Sequence, residues 1–216
     1  YVCIFMCSYL MISLIYQYIL HTIKQPQYFR VADALELWDG RGTIPTANGG
    51  ETTINIKNRI VSKQSTVRAR TITEEYATDS YQNLLFSICR FHEVTHTYPQ
   101  KISMVSFTFK QTRFENLHAN AIHYPLSNFH YVGVDPPSST GFNLDESSEG
   151  ERTNSLVPYQ TDPYGCHTKV LQQKRIERNP FVRMPPYELS CPGMKEILSW
   201  CGPDLIPKSS VPWAKL

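Results

Sequence analysis

Charge of one sign is what this sequence most clearly lacks. Its 216 residues carry 21 lysines and arginines against 19 aspartates and glutamates, for a net charge of +2. A surface so nearly balanced produces no strong field that would attract nucleic acid or acidic membranes. We therefore expect no nucleic-acid partner. The charge balance indicates an ordinary soluble surface, and we predict a cytoplasmic protein.

Paired cysteines at metal-binding spacing are also missing. The sequence has six cysteines but no C-x-x-C pair, so a zinc ribbon is unsupported. The N-terminus has neither a basic segment nor a small-residue cleavage site of the kind that marks a signal peptide. Because disulfides persist mainly in oxidising compartments, we expect these cysteines to be reduced thiols.

The first 23 residues carry no lysine, arginine, aspartate or glutamate. A stretch of this length can cross a bilayer, although four tyrosines and several polar residues dilute its apolar character. Two interpretations stay open for 1–23: a buried hydrophobic segment, or a membrane helix that anchors the protein. The following region, 24–66, has no recognisable motif and is treated as a divergent region. Its pattern predicts a short helix at 29–38 and a half-exposed strand at 52–57, without recognisable chemistry.

Strand and helix patterns alternate over 67–137. Apolar residues recur at helical spacing after Ser80, and apolar strands are predicted at 102–109 and 129–134 with a second helix between them. This order is typical of parallel βαβ units, which places the ligand crevice at the carboxyl ends of the strands. We predict an α/β core here, with a flexible insertion at 138–158 and a Pro-rich extension at 159–216 that packs on the core.

Polar side chains collect where that crevice is expected. Thr78 and Asp79 precede the first helix and can cap it, and free N–H groups at a helix start also favour anions. A simple capped helix is an equally good interpretation of the same residues. In the extension, a helix at 169–178 has a basic face. We interpret that face as solvated, with the alternative that Lys174, Arg175 or Arg178 reaches an anionic ligand.

Two stretches, 74–83 and 105–114, resemble the paired motifs of the domain of unknown function 218 (DUF218) family, the SanA/ElyC/YdcF-like proteins, and more closely its eukaryotic, fungal-type branch. By position, Glu74 matches the family's acidic residue, and Asn83 and Arg113 are retained. The other matches are substitutions: Asp79 for Asn, Ser80 for Thr, Gln82 for Glu, Ser106 for Thr, and Lys110 for His. Lysine at 110 replaces a proton-relaying imidazole by a fixed positive charge.

The resemblance implies a Rossmann-like, three-layer α/β domain with a mainly parallel sheet and a pocket formed by these loops. The family's first strand with its glycine-bearing loop has no counterpart here, so the N-terminal half is expected to be incomplete. In bacterial members the family is linked to cell-envelope maintenance. The resemblance implies no established reaction.

Two function hypotheses follow. In the first, the domain binds a small anionic or nucleotide-like ligand, with Glu74 or Glu75 as the candidate catalytic base. The expected ligand-binding residues are Thr78, Asp79, Ser80, Asn83, Ser106, Lys110 and Arg113. In the second, the domain is a non-catalytic structural or partner-binding module. The sequence names no cofactor in either case.

A third, weaker hypothesis concerns His92-Glu93-Val94-Thr95-His96. This is the H-E-x-x-H spacing that sets two imidazoles on one helix face for zinc. It lies at the end of its predicted helix, far from the polar helix start, and no metzincin extension follows it. A helix that ends in two histidines is the alternative interpretation.

Overall fold

A computed structural model describes residues 2–6 and 74–215 of the chain. The chain divides into two units, Tyr1–Ile12 with Glu74–Leu216 and Ser13–Thr73. The second unit lies outside the described residues, as do the short helix and the strand expected within 24–66.

The sheet of the first unit has three strands, all parallel. They are β1 (Val2–Met6), β2 (Lys101–Ser106) and β3 (Phe129–Gly133), in the spatial order β1-β2-β3. Val2 pairs with Lys101 in one ladder, and Ile102 pairs with Phe129 in the other. The mixed helix and strand character and the parallel pairing predicted from the sequence are therefore confirmed.

Helix α1 (Ser80–Thr95) precedes β2 and carries a large part of the core. Its side chains Leu84, Leu85, Ile88 and Cys89 are almost fully buried, as expected for apolar residues at helical spacing. The helix ends before Pro99, because proline disfavours helical backbone at the residue before it. His96 closes the helix in the left-handed conformation with φ of 57°.

The β2–β3 connection contains the second predicted helix. A 3-10 turn at Thr108–Lys110 leads into helical backbone over 111–121, whose middle part, Arg113–Ala119, is π-helical. The strand therefore ends at Ser106 rather than at residue 109. Asp135 Oδ1 accepts a hydrogen bond from Thr108 N at 2.9 Å, which holds the chain in the turn.

Helices make up much of the remaining chain. They are α2 (Leu144–Glu151), α3 (Val157–Thr161), α4 (Lys169–Glu177), α5 (Tyr187–Ser190) and α6 (Lys195–Ser199), with π-helical Arg152–Leu156 joining α2 to α3. The segment 138–158 is thus largely helical and not the flexible insertion expected from its Ser, Gly and acidic residues. Asn143 caps α2 by accepting from Glu146 N, and Glu151 and Ser155 are buried.

The C-terminal segment packs on the core through buried aromatic side chains. Trp213 Nε1 donates to Ile122 O at 2.8 Å, and Tyr164 OH donates to Ala121 O at 3.0 Å. Cys166 and Cys201 form a disulfide, so the expectation that all six cysteines are reduced is wrong for this pair.

The N-terminal segment differs in part from its sequence interpretation. Val2–Met6 is a β-strand and not part of a helix over 1–23, while 7–23 lie outside the described residues. Within the described chain, no helix has both the length and the apolar character that crossing a membrane requires.

Candidate functional site

The start of α1 is capped by its own side chains. Asp79 Oδ1 accepts from Gln82 N at 2.8 Å, and Gln82 Oε1 accepts from Thr78 N at 2.9 Å and from the Thr78 hydroxyl at 2.6 Å. Asp79 and Thr78 are both buried. The carboxylate of Asp79 therefore occupies the place at the helix dipole that an external anion would otherwise take.

Two arginines of the C-terminal segment reach this helix start. Arg175 Nε donates to Asp79 Oδ2 at 2.5 Å, and its Nη2 donates to Tyr164 O at 2.7 Å. Arg178 Nη1 donates to Thr78 O at 2.9 Å. The basic face of α4 therefore contacts the start of α1, and both guanidiniums bind protein groups. That this face reaches an anionic ligand stays a prediction.

The two candidate bases have structural partners. Glu74 Oε1 accepts from Tyr76 N and from Tyr187 OH, both at 2.8 Å, and Oε2 accepts from Ala77 N at 3.0 Å. The Glu75 carbonyl accepts from Arg183. Glu74 therefore fixes the loop before α1, and its carboxylate oxygens are engaged by three donors.

A buried hydroxyl–imidazole contact links α1 to the π-helical segment. Ser80 Oγ lies 2.8 Å from His118 Nε2, and the His118 ring packs edge-on against Tyr159. Burial, and then the nearby Arg113 and Arg175, hold the pKa of His118 well below its usual range. The imidazole is therefore neutral, and its Nδ1 has no hydrogen-bond partner.

The turn after β2 holds a buried ion pair. Arg113 Nε lies 3.1 Å from Glu151 Oε1, and each side chain is only 6% exposed. The two atoms face each other without an aligned hydrogen bond. Burial raises the pKa of Glu151, while Arg113, Lys110 and Lys174 act in the opposite direction. Lys110 Nζ also lies 5.4 Å from the centre of the Phe107 ring.

Lys174 of α4 lies near the Arg113–Glu151 ion pair and acts on both residues. Its Nζ donates to Asn154 O at 2.7 Å and to Ser155 Oγ at 2.9 Å. Burial, followed by Arg178 and Arg113, lowers the pKa of Lys174 to about 8. Lys174 and Arg178 also line an open groove of about 650 Å³. The groove exposes Lys174 and Arg178 to solvent.

Positive charge exceeds negative charge among these interacting groups. The cations are Lys110, Arg113, Lys174, Arg175 and Arg178, and the carboxylates that act on them are Asp79 and Glu151. We refer to these seven residues as the cationic cluster. Arg113 is buried, Lys110, Lys174 and Arg175 are half-buried, and Arg178 is exposed. Taking cations partly out of water is costly, and a bound anion is one way to offset that cost.

Two predicted ligand-binding residues keep buried polar atoms without a partner. Asn83 Oδ1 in the first turn of α1 and Ser106 Oγ at the end of β2 have no hydrogen-bond partner. Asn83 is 9% exposed and Ser106 is 2% exposed. Because buried polar groups are nearly always paired, these two are the predicted site residues most in need of a further partner.

The histidines of the H-E-x-x-H stretch do not converge on one point. His92 stacks on the Tyr98 ring with centroids 4.5 Å apart, and His96 is the exposed C-cap residue. Glu93 pairs with Arg90 and accepts from Ser190. Across 2–6 and 74–215, no three His, Cys, Asp or Glu side chains lie close enough together to hold a metal ion.

Sequence reasoning missed several residues of this site. Glu151 lies within the expected insertion, and neither Tyr159 nor His118 is among the predicted ligand-binding residues. No local pattern marks these residues. Their partners Arg113 and Ser80 are 38 positions away, and such contacts depend on the fold.

Comparison with known proteins gives one informative relative. The chain is 42% identical over 122 residues to Uncharacterized protein YOR238W of Saccharomyces cerevisiae, a match covering 53% of this chain and 40% of the yeast protein. The match thus spans less than half the length of that relative. No family model matches the chain, and no solved structure matches it.

Proposed function

We propose that this domain binds a small anionic or nucleotide-like ligand at the carboxyl end of its parallel sheet. The observation that carries the proposal is the cationic cluster, in which four of the five cations act on two carboxylates and the fifth, Arg178, acts on Lys174. A phosphate or carboxylate group would offset this excess charge, and arginine binds such groups bidentately.

The unpaired atoms at the sheet end support the same placement. Asn83 and Ser106 can supply one amide and one hydroxyl to the polar part of a ligand. In parallel α/β sheets, ligands usually bind in a crevice at the carboxyl ends of the strands. A Rossmann-like fold and membership of the DUF218 family, expected from 74–83 and 105–114, belong to this proposal.

The geometry changes which residues we propose for each role. Asp79 and Glu74 are occupied by protein donors, so they shape the site and do not contact the ligand. Lys174 and Arg178, which line the groove, are the proposed first contacts of an incoming anion. Arg113, Asn83 and Ser106 lie deeper in the site.

A structural or partner-binding module is the second candidate. The ion pairs Arg113–Glu151 and Arg175–Asp79 favour it, because both arginines have carboxylate partners within the chain. This module would fold normally and would be indifferent to small anions.

A thermal-shift measurement separates the two candidates. The proteins are wild type, a double variant Arg113→Gln/Glu151→Gln that leaves no unpaired buried charge, and Arg152→Gln, an exposed arginine on the neighbouring helical segment. Each is heated with pyrophosphate, nucleoside diphosphates or sugar phosphates. Anion binding predicts stabilisation of wild type and Arg152→Gln that is lost in the double variant. No stabilisation of wild type by any of these anions would favour the structural module.

The zinc hypothesis is tested in the same way with zinc chloride and His92→Ala. Stabilisation by zinc that disappears in His92→Ala would support it. The described residues supply no converging third ligand for that site.

A further inference from the structure

Three sulfur atoms meet beneath the C-terminal segment, away from the cationic cluster. Cys89 Sγ on α1 lies 3.6 Å from Met194 Sδ. Burial, and then the neighbouring Cys191 thiol, raise the pKa of Cys89. All three side chains are fully buried, and both cysteines are free thiols. We refer to Cys89, Cys191 and Met194 as the sulfur cluster.

We propose that the sulfur cluster is a binding site for one soft metal ion of the Cu(I) type. Thiolate and thioether ligands select Cu(I) over hard cations such as Mg²⁺ or Ca²⁺. Two sulfurs bound to one three-coordinate ion at about 2.3 Å, with an angle near 120° between them, lie roughly 4.0 Å apart. The observed separation of 3.6 Å needs little rearrangement to accept an ion.

The number of ligands favours Cu(I) over zinc. Structural zinc sites are almost always four-coordinate, and the described residues offer no cluster of the ligands that zinc prefers. Neighbouring polar groups have other contacts: Tyr98 OH accepts from Cys191 Sγ at 3.9 Å, and Glu93 binds Arg90 and Ser190. Three sulfurs without a fourth ligand suit the low coordination of a monovalent soft ion.

An ion has a short path to this site. Cys191 and Met194 belong to a turn at the surface, and their neighbours Leu189, Pro192 and Gly193 are exposed. Local opening of this turn would uncover two ligands, while Cys89 stays fixed on α1. Each thiol that ligates the ion releases its proton to solvent. Binding would tie the C-terminal segment to the core helix.

Competition for Cu(I) tests the site. Full-length protein carrying Cys3→Ser and Cys7→Ser serves as the background, which removes the two cysteines of the N-terminal segment from the measurement. Under nitrogen, with ascorbate as the reductant, Cu(I) is titrated against the chromophoric chelator bicinchoninate. We expect the background protein to withhold one Cu(I) per chain. In this background Cys89→Ser and Cys191→Ser should each weaken retention at least tenfold.

Matched thioether variants make the test specific. Met194→Leu keeps the buried volume and should weaken retention several-fold, whereas Met184→Leu alters an exposed methionine of the same segment and should leave it unchanged. Circular dichroism checks that each variant is folded.

Three results would overturn the proposal. The first is a background protein that holds no more Cu(I) than the Cys89→Ser/Cys191→Ser variant, and the second is equal losses in Met194→Leu and Met184→Leu. The third is a count of zero free thiols in the anaerobically purified background protein, because Cys89 and Cys191 would then be oxidised.

Discussion

Arg175 Nε donates to Asp79 Oδ2 at 2.5 Å, across 96 positions of sequence. Asp79 also caps α1, so one carboxylate holds the start of the core helix and the C-terminal helix α4 together. The Asp79 side chain is 2% exposed and that of Arg175 is 22% exposed. At this burial, an unpaired partner is costly.

A double-mutant cycle measures this contact. Asp79→Asn keeps an oxygen for the helix cap but removes the charge, and Arg175→Met removes the guanidinium while keeping an apolar stem. We expect each single variant to lose about 2–3 kcal/mol of unfolding free energy, with a coupling of about 1–3 kcal/mol between them. Urea unfolding provides the values. Additive losses would mean that the two side chains act independently.

Gly165 should be required for the same contact. Its φ is 67°, and a Cβ built there would lie 2.6 Å from Arg175 Nη2. Gly141 is the matched control, because its φ is 70° and a Cβ would meet nothing within 4 Å. We expect Gly141→Ala to cost about 1–2 kcal/mol through backbone strain alone. Gly165→Ala should cost measurably more in the same urea experiment, and equal losses would contradict the crowding of Arg175.

The secondary structure of the core could be predicted from local patterns, whereas these contacts could not. The Asp79 cap, the apolar spacing of α1 and the Pro99 stop all act within a few residues, and the predicted helix is confirmed. The strand Val2–Met6 is hard to predict within a longer apolar run, because apolar character alone does not separate a buried strand from a helix. The helices of 138–158 are hard to predict because loops and exposed helices share a polar composition.

Long-range pairing limited the prediction of the site. The basic face of α4 was visible in the sequence, but only the fold shows that Arg175 meets Asp79 and that Arg113 meets Glu151. The expected free thiols failed for the same reason, since Cys166 and Cys201 are 35 positions apart and are joined by tertiary packing.

The Cys166–Cys201 disulfide should stabilise the fold substantially. For a closed loop of this length, chain entropy predicts about 3–4 kcal/mol. Replacing both cysteines by serine should lower the unfolding free energy by that order, and mass spectrometry of unreduced peptides should detect the link. A link that mass spectrometry fails to detect in unreduced protein, or a serine variant as stable as wild type, would contradict this expectation.

Lys174 should make anion binding pH-dependent. Its pKa in the folded protein is about 8, below the ordinary value of 10.5. A bound anion favours the protonated amine, so affinity should fall about fivefold from pH 8 to pH 9, as the protonated fraction falls. Calorimetry at the two pH values measures this change. Lys174→Gln should abolish the pH dependence, and Lys195→Gln, which alters an exposed lysine of helix α6, should retain it.

Lys174 also makes the stability of the ligand-free protein depend on pH, and its pKa gives the direction of that dependence. Because its folded pKa is depressed, the unfolded chain binds more protons than the folded chain between pH 8 and about 10.5. The contribution of Lys174 to stability therefore increases as the pH rises through this window. From pH 7.5 to pH 10, the free energy of unfolding should rise less, or fall more, in Lys174→Gln than in wild type. Urea unfolding at the two pH values measures it.

Anion binding at the cationic cluster is tested most directly by calorimetric titration of pyrophosphate at pH 7 and constant ionic strength. The three proteins are wild type, Lys174→Gln and Lys195→Gln. We expect wild type and Lys195→Gln to bind one pyrophosphate with equal affinity, and Lys174→Gln to bind at least tenfold more weakly. Equal affinity in all three proteins, or no binding by wild type, would contradict the proposed site.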